Sequence, residues 1–216
     1  MKIYSFPTFN LTKILYTAEE LGQEYELEIL DATKLEHKTP EHLERHPAGK
    51  VPVLEHNGKF YFESNNLCRL IAELNDNKLY GDTPEQRAEV NQWIDYMGYQ
   101  VSRWMMFYAW EEGVKPNYLG QDPDPTKTQE AHTNLGQQLP LIEQQLAKNT
   151  YFAGNDISIA DTVAFALCQI QSFTSLDLTG YQNISRWYET MAERPSINKA
   201  LDRLPGRGIF TFLAEK

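Results

Sequence analysis

"GKVPVLEHNGKFYFESNN", Gly49 to Asn66, decides how the first third of this chain folds. It alternates as two short strands, Val53 to Glu55 and Phe60 to Phe62. Asn57-Gly58 joins them and suits the positive φ angles of a two-residue hairpin. Pro52 heads the first arm and has no N–H for a sheet ladder. Two readings follow for a proline at the start of a strand that looks central. It is a plain trans residue, or the Val51–Pro52 bond is cis and the Val51 backbone is turned outward, unpaired. In the second case a ligand with a peptide backbone adds itself there like a short strand.

The hairpin sits inside a strand–helix alternation. Lys2 to Phe6 reads as a strand. Leu11, Ile14, Leu15, Ala18 and Leu21 recur at helical spacing, with Asn10 as a plausible N-cap and Gly22 as the stop. Tyr25 to Asp31 alternates again, and a short helix is expected around Glu41 to Arg45. A further helix starts at Ser64 or Asn65, with Leu67, Leu70, Ile71 and Leu74 inward. The order β-α-β-α-β-β-α makes the first two strands parallel, through a right-handed crossover, and the last two antiparallel. The polar stretch Asn75 to Pro84 interrupts this pattern and reads as a linker.

Everything beyond is helical. Thr83-Pro84-Glu85-Gln86 carries a helix-start signature, and the helix it opens should pass Trp104. Thr126 to Ala147 gives another helix, with a kink expected at Pro140. Ser158 and Asp161 resemble a capping box ahead of a very apolar helix that suits a bundle interior. Asn183 to Ala192 and Ser196 to Leu204 give two more. The chain therefore divides into an α/β domain, 1–75, a linker, 76–84, and an all-α domain, 85–216.

The 216 residues are 41% hydrophobic and 23% charged, an ordinary globular balance, with a net charge of −10. An acidic surface repels phosphate backbones, so nucleic acid is not an expected partner. The chain has no run of 18 apolar residues to cross a membrane. Its start, "MKIYSFPTFN", alternates like a strand rather than a signal peptide. Cys68 and Cys168 read as isolated thiols of a reducing compartment, which makes the cytoplasm the expected location.

Four groups of residues suggest chemistry. Glu63-Ser64, where a strand ends and a helix begins, suits an α-amino acid head: Ser64 for the carboxylate, Glu63 for the ammonium. Lys38 and Lys50, with His37, suit a second carboxylate. Thr8 and Asn10, in "PTFNLTK", both have hydrogen bonds to donate at the mouth of the first helix, where the dipole favours an anion. Trp104 to Trp110, "WMMFYAW", is dense in aromatic and Met side chains that suit an apolar ligand. Each group also has a plainer reading as cap, solvated charge or core. His42 and His46, at i and i+4, have no third ligand nearby and read as a solvated helix face.

The pieces "PTFNLTK", "EHKTPEHLERHPAGKVPVL", "FESNNL" and "FAGNDISIADT" resemble a cytosolic glutathione transferase over nearly the whole chain. The middle piece is most similar to the plant-type phi class and its bacterial relatives. The resemblance implies a thioredoxin-like first domain, a helical second domain and a two-fold homodimer. It implies that His37, Lys38, Lys50, Val51, Pro52, Glu63 and Ser64 hold glutathione, with Lys50 in place of a common glutamine. It places Thr8 where phi enzymes carry an activating serine. "PTFN" also resembles the nu class, in which a threonine and an asparagine serve glutathione-dependent disulfide reduction. Beta-class enzymes carry a cysteine at the position of Asn10, so their mixed-disulfide chemistry is not expected here. Tyr4 aligns with the tyrosine of mammalian-type classes and is expected to point into the core.

The expected activity is glutathione transfer to an apolar electrophile or peroxide, with Thr8 and Asn10 activating the thiol. Phe9, Trp104, Phe107 and Tyr108 are the expected contacts of the electrophile, between the first loop and the long helix of the second domain. No metal or redox cofactor is called for, and glutathione is a co-substrate. The alternatives are a disulfide reductase that uses glutathione's own sulfur, and a non-catalytic binding or assembly module.

Overall fold

The structure, a computed structural model, describes residues 1–207. The last residues of the expected second domain, 208–216, lie outside the described residues. The chain forms two compact units.

The first unit is built on a four-stranded sheet: β1 (Lys2–Ser5), β2 (Glu26–Ile29), β3 (Val53–His56) and β4 (Lys59–Phe62), in the order β2-β1-β3-β4. β1 and β2 are parallel, whereas β1–β3 and β3–β4 are antiparallel. The hairpin turns at Asn57 (φ 52°) and Gly58 (φ 72°), the positive pair its sequence promised. Tyr4, Leu30 and Val53 form one buried cluster, with Phe6 and Val51 packed against it. Side chains alternate along a strand, so Ile3 and Leu54, paired in register, face the other way; both are fully buried. Tyr4 is core, as expected, and its hydroxyl donates to Glu55 Oε2 at 2.7 Å.

The helix α1 (Phe9–Leu21) ends at Gly22 in the left-handed region. Its N-cap is Thr8, not Asn10, so the helix begins two residues earlier than apolar spacing indicated. A cap is chosen by which side chain reaches back to an orphan N–H. α2 (Pro40–Arg45) and α3 (Ser64–Glu73) complete the expected order. α1 packs on α3 with Leu11, Ile14, Leu15, Leu67 and Ile71 buried. It also packs on α9 (Pro195–Leu201), where Lys199 pairs with Glu19 at 2.6 Å. By contacts α9 thus belongs to the first unit, although it follows the helical half in sequence. Helical periodicity reveals that a face is buried but not which neighbour buries it.

The second unit opens with α4 (Pro84–Tyr96), whose Thr83–Gln86 capping box is formed. The helical path continues through a π-helical turn, Met97–Val101, into α5 (Ser102–Tyr108), then through a second π stretch, Ala109–Leu119. Pro116 lies in that second stretch and cannot donate an i→i−4 bond, one reason the α pattern is not kept. α6 (Pro125–Lys148) is assigned as one helix through Pro140. All ten residues of α7 (Ile159–Cys168) are buried, as its composition indicated, and α8 is Gln182–Ala192. The Ser158–Asp161 capping box is present and does more than cap. The buried Asp161 carboxylate also accepts from Phe152 N and Trp187 Nε1, each at 3.0 Å, which ties α7 to α8.

Candidate active site

The first-helix loop and the start of α3 meet around one side chain. Thr8 Oγ1 accepts from Leu11 N at 3.3 Å. That bond uses an oxygen lone pair and leaves the hydroxyl proton available to another acceptor. Asn10 Oδ1 accepts from Lys13 Nζ at 3.0 Å and from Ser64 Oγ at 3.1 Å. Lys13 also reaches Ser64 Oγ at 3.4 Å and Asn65 Oδ1 at 3.2 Å. Its ammonium lies 5.3 Å from the centre of the Phe9 ring. Lys13 is 4% exposed, and burial lowers its pKa to about 8. Asn10 and Ser64 are thus brought together by a residue that sequence reasoning did not single out. Helical spacing gave no signal: at i+2 from Leu11, Lys13 is turned roughly 160° away from it, and it is buried because α1 is covered beyond its apolar stripe. A charge in that position is rarely buried without a polar partner.

Glu63, directly before α3, holds φ 70° and ψ 105°, a costly conformation for a residue with a Cβ. It lifts an exposed carboxylate beside the Ser64 helix start, the juxtaposition expected for an amino acid head group.

The second cluster surrounds Val51. The Val51–Pro52 peptide is cis. The β1–β3 register ends with Tyr4 opposite Val53, so Val51 lies beyond the ladder. Gly49 enforces the approach: φ is 56°, and a Cβ there would stand 2.9 Å from the His37 carbonyl oxygen. Lys38 Nζ donates to the carbonyls of Ala48 (3.3 Å) and Gly49 (2.8 Å), so part of its donor capacity holds the loop rather than a ligand. The Lys50 side chain is exposed. Burial first, then the charge of Lys38, then His42 lower the pKa of His37. At neutral pH it is therefore a neutral hydrogen-bonding ring, not a cation for a carboxylate. Its Nδ1 is buried with no hydrogen-bond partner among the described residues.

His42 and His46 correct the sequence reading. They are buried, 1% and 6% exposed, rather than on a solvated face. His42 Nε2 meets the Lys50 carbonyl at 2.8 Å, and His46 Nδ1 accepts from Ala48 N at 3.2 Å. His46 also stacks on Phe62, with ring centres 4.5 Å apart. Both rings brace the loop leading into Val51. Their i, i+4 spacing told that they share a side of α2; only the return of the loop over that side made it an interior. Among the described residues no group of three metal-ligating side chains occurs.

In the second unit, Trp104 and Phe107 stack edge to face with ring centres 5.6 Å apart, and both are half-buried. The Arg103 guanidinium lies 4.9 Å from the Trp104 ring, and Lys127 Nζ 5.7 Å from the Phe107 ring. Tyr108 is buried, but its side chain borders a separate cavity of about 550 Å³ with His132, Pro123, Pro125 and Gln129. Phe9, in the first unit, is 6% exposed and offers little open surface to a ligand.

Residues 1–73 match the N-terminal domain, and residues 104–195 the C-terminal domain, of glutathione S-transferase. A probable glutathione S-transferase, GSTF2, of Oryza sativa subsp. japonica is 32% identical over 203 residues, 92% of this chain and 94% of that protein. The solved glutathione S-transferase I from mais, in complex with an atrazine glutathione conjugate, superposes with a TM-score of 0.86. It is 30% identical and matches over 92% of this chain and 95% of that one. Elongation factor 1-gamma 3 of Oryza sativa subsp. japonica is 32% identical over 89% of this chain, which spans 46% of that longer protein. The chain belongs to the glutathione S-transferase family. Its small sheet domain is the thioredoxin-like half and its bundle the helical half.

Proposed function

We propose that the chain binds glutathione along Val51 and the start of α3 and ionises its thiol at Thr8. The thiolate then attacks an apolar electrophile or a peroxide. One observation carries this reading. Thr8 Oγ1 receives Leu11 N at the first turn of α1, so the hydroxyl proton and the positive end of the helix are both offered to an anion. A free thiol titrates near pH 8.5, and lowering that by about two units takes about 2.7 kcal/mol of thiolate preference. One or two charge-assisted hydrogen bonds are on that scale. In transfer, the sulfur forms a thioether to the electrophilic carbon, the leaving group departs with its electron pair, and the thiol proton goes to solvent. With a peroxide, the sulfur takes one oxygen as the O–O bond breaks and the alcohol leaves, and a second glutathione then displaces water to give glutathione disulfide.

Val51 offers its backbone to the cysteinyl unit, while Ser64 and Glu63 hold the glutamyl head. Lys50, with the remaining donors of Lys38 and the neutral His37 ring, receives the glycyl carboxylate. Pro52 sets the course of the loop. Asn10 presents its amide beside the sulfur. Trp104 and Phe107, stacked edge to face, are the apolar contacts of the second substrate in this reading, with Tyr108, which borders its own cavity. Phe9 supports the Lys13 cluster more than it touches the electrophile. Glutathione is a co-substrate and no other cofactor is invoked. The chain works as a homodimer in the cytoplasm; among the described residues no helix is long and apolar enough to cross a membrane.

Disulfide reduction is the second reading. Cys68 and Cys168 are buried, and burial pushes their thiols up to about 11 and about 12. Neither is a nucleophile at neutral pH, so in either reaction the attacking sulfur is glutathione's own. Parallel assays with a model electrophile and with a mixed disulfide of glutathione separate the two. The likeness to elongation factor 1-gamma 3 keeps a non-catalytic binding or assembly role as a third outcome. It is supported if S-methylglutathione does not bind and neither assay shows turnover.

A further inference from the structure

Lys13 is a buried ammonium that meets only uncharged oxygens: Asn10 Oδ1, Ser64 Oγ and Asn65 Oδ1. Among the described residues no carboxylate forms an ion pair with it. The starts of α1 and α3 flank it, and both helix ends are partially positive. Glu63 acts on this buried positive charge only from outside ion-pair distance, so a carboxylate brought close would be its first direct counter-anion.

We propose that Lys13 is a positioning residue whose charge, transmitted through Ser64 and Asn10, makes this end of the site selective for a ligand carboxylate. The inference rests on the glutathione reading above, in which that carboxylate is the glutamyl one. Two effects follow from the geometry. The ammonium turns Oδ1 of Asn10 and of Asn65 toward itself, which fixes both amides with their NH₂ groups pointing away. It also donates to Ser64 Oγ, so the Ser64 hydroxyl proton is directed outward, to Asn10 Oδ1 when the site is empty and to the carboxylate when it is filled.

Binding then depends on the protonation of Lys13. The groups acting on it are Cys68 of α3 and Glu63, the residue before that helix. Lys199 of α9, and Arg203 just after that helix, are engaged with Glu19, six residues further along α1. A bound carboxylate favours the ammonium and raises its pKa above the free value of about 8. Below that value the lysine is charged with or without ligand, and affinity is independent of its titration. Above it the free protein loses the proton and the complex keeps it, so affinity falls as pH rises and binding takes up protons.

S-methylglutathione tests this without a titrating thiol. Its dissociation constant should rise roughly fivefold to tenfold between about pH 7 and about pH 9 for the natural chain. Lys13→Arg keeps a charge that does not titrate there and should remove most of that rise. The ligand's amine and the other lysines titrate alike in both proteins. Should the arginine variant not fold, calorimetry on the natural chain at about pH 8.5, in two buffers of different ionisation enthalpy, carries the test. Uptake of roughly half a proton or more per ligand is expected. A flat affinity, no proton uptake, or a rise unchanged in Lys13→Arg overturns the role of Lys13 while leaving the site intact. Failure of S-methylglutathione to bind at all overturns the glutathione reading itself.

Discussion

Replacing Thr8 by valine separates the helix cap from thiol activation. Valine keeps the branched shape and stiff χ1 of threonine but loses the hydroxyl. The loss to the fold is small. Leu11 N and Thr12 N both also donate to the Thr8 carbonyl, at 3.0 Å each, so removing Oγ1 leaves the first turn partly satisfied. About 0.5–1 kcal/mol is expected, the low end for a cap. The loss to the thiolate is larger. One charge-assisted hydrogen bond contributes about 1.5–3 kcal/mol, which is roughly one to two pH units of thiol titration. The assay follows thiolate ultraviolet absorbance of the glutathione complex against pH, with the S-methylglutathione complex as blank. The natural chain should titrate roughly two units below the free thiol, Thr8→Val one to two units higher than that, and Thr8→Ser within about half a unit of the natural chain. Turnover at low pH should fall roughly tenfold to a hundredfold in Thr8→Val and recover as pH rises, with KM for glutathione little changed. A folded Thr8→Val whose bound thiol titrates like the natural one refutes the role of the hydroxyl.

Four other outcomes are expected. Asn10→Ala and Ser64→Ala should be non-additive in thermal stability by about 1 kcal/mol, because Ser64 Oγ donates to Asn10 Oδ1 and Lys13 reaches both; a double-mutant cycle measures it. His42→Leu removes the ring nitrogen that meets the Lys50 carbonyl at 2.8 Å. Its KM for glutathione should rise roughly tenfold, with kcat within about twofold, in steady-state kinetics. Glu63→Gly relieves a positive φ of 70°, so the melting temperature should rise by roughly 2–4 °C while glutathione binds more weakly. Asp161→Ala leaves Phe152 N, Ser158 N and Trp187 Nε1 without their acceptor. It should lower stability by roughly 3–4 kcal/mol in a denaturant titration, with m unchanged.

Sequence by itself determined the elements and their order. Alternation at period two, spacing at period 3.6, the Asn57-Gly58 turn, Gly22 as helix stop and the Thr83 and Ser158 capping boxes are local in their causes. They need only a few neighbouring residues, so they were legible before any fold was known. The junction of strand and helix at Glu63-Ser64 was legible for the same reason, whereas the sequence left the Val51–Pro52 bond open between cis and trans. Tertiary structure alone decided which faces became interior. His42 and His46 read as solvated because nothing within α2 tells that the loop to Val51 returns over them. α9 read as part of the helical half because an amphipathic stripe does not name its partner. Lys13 was not singled out, because its partners Ser64 and Asn65 reach its ammonium from more than fifty residues away. Burial, and the charge it concentrates, depends on distant segments arriving at one place, and neither is encoded in a short window of residues.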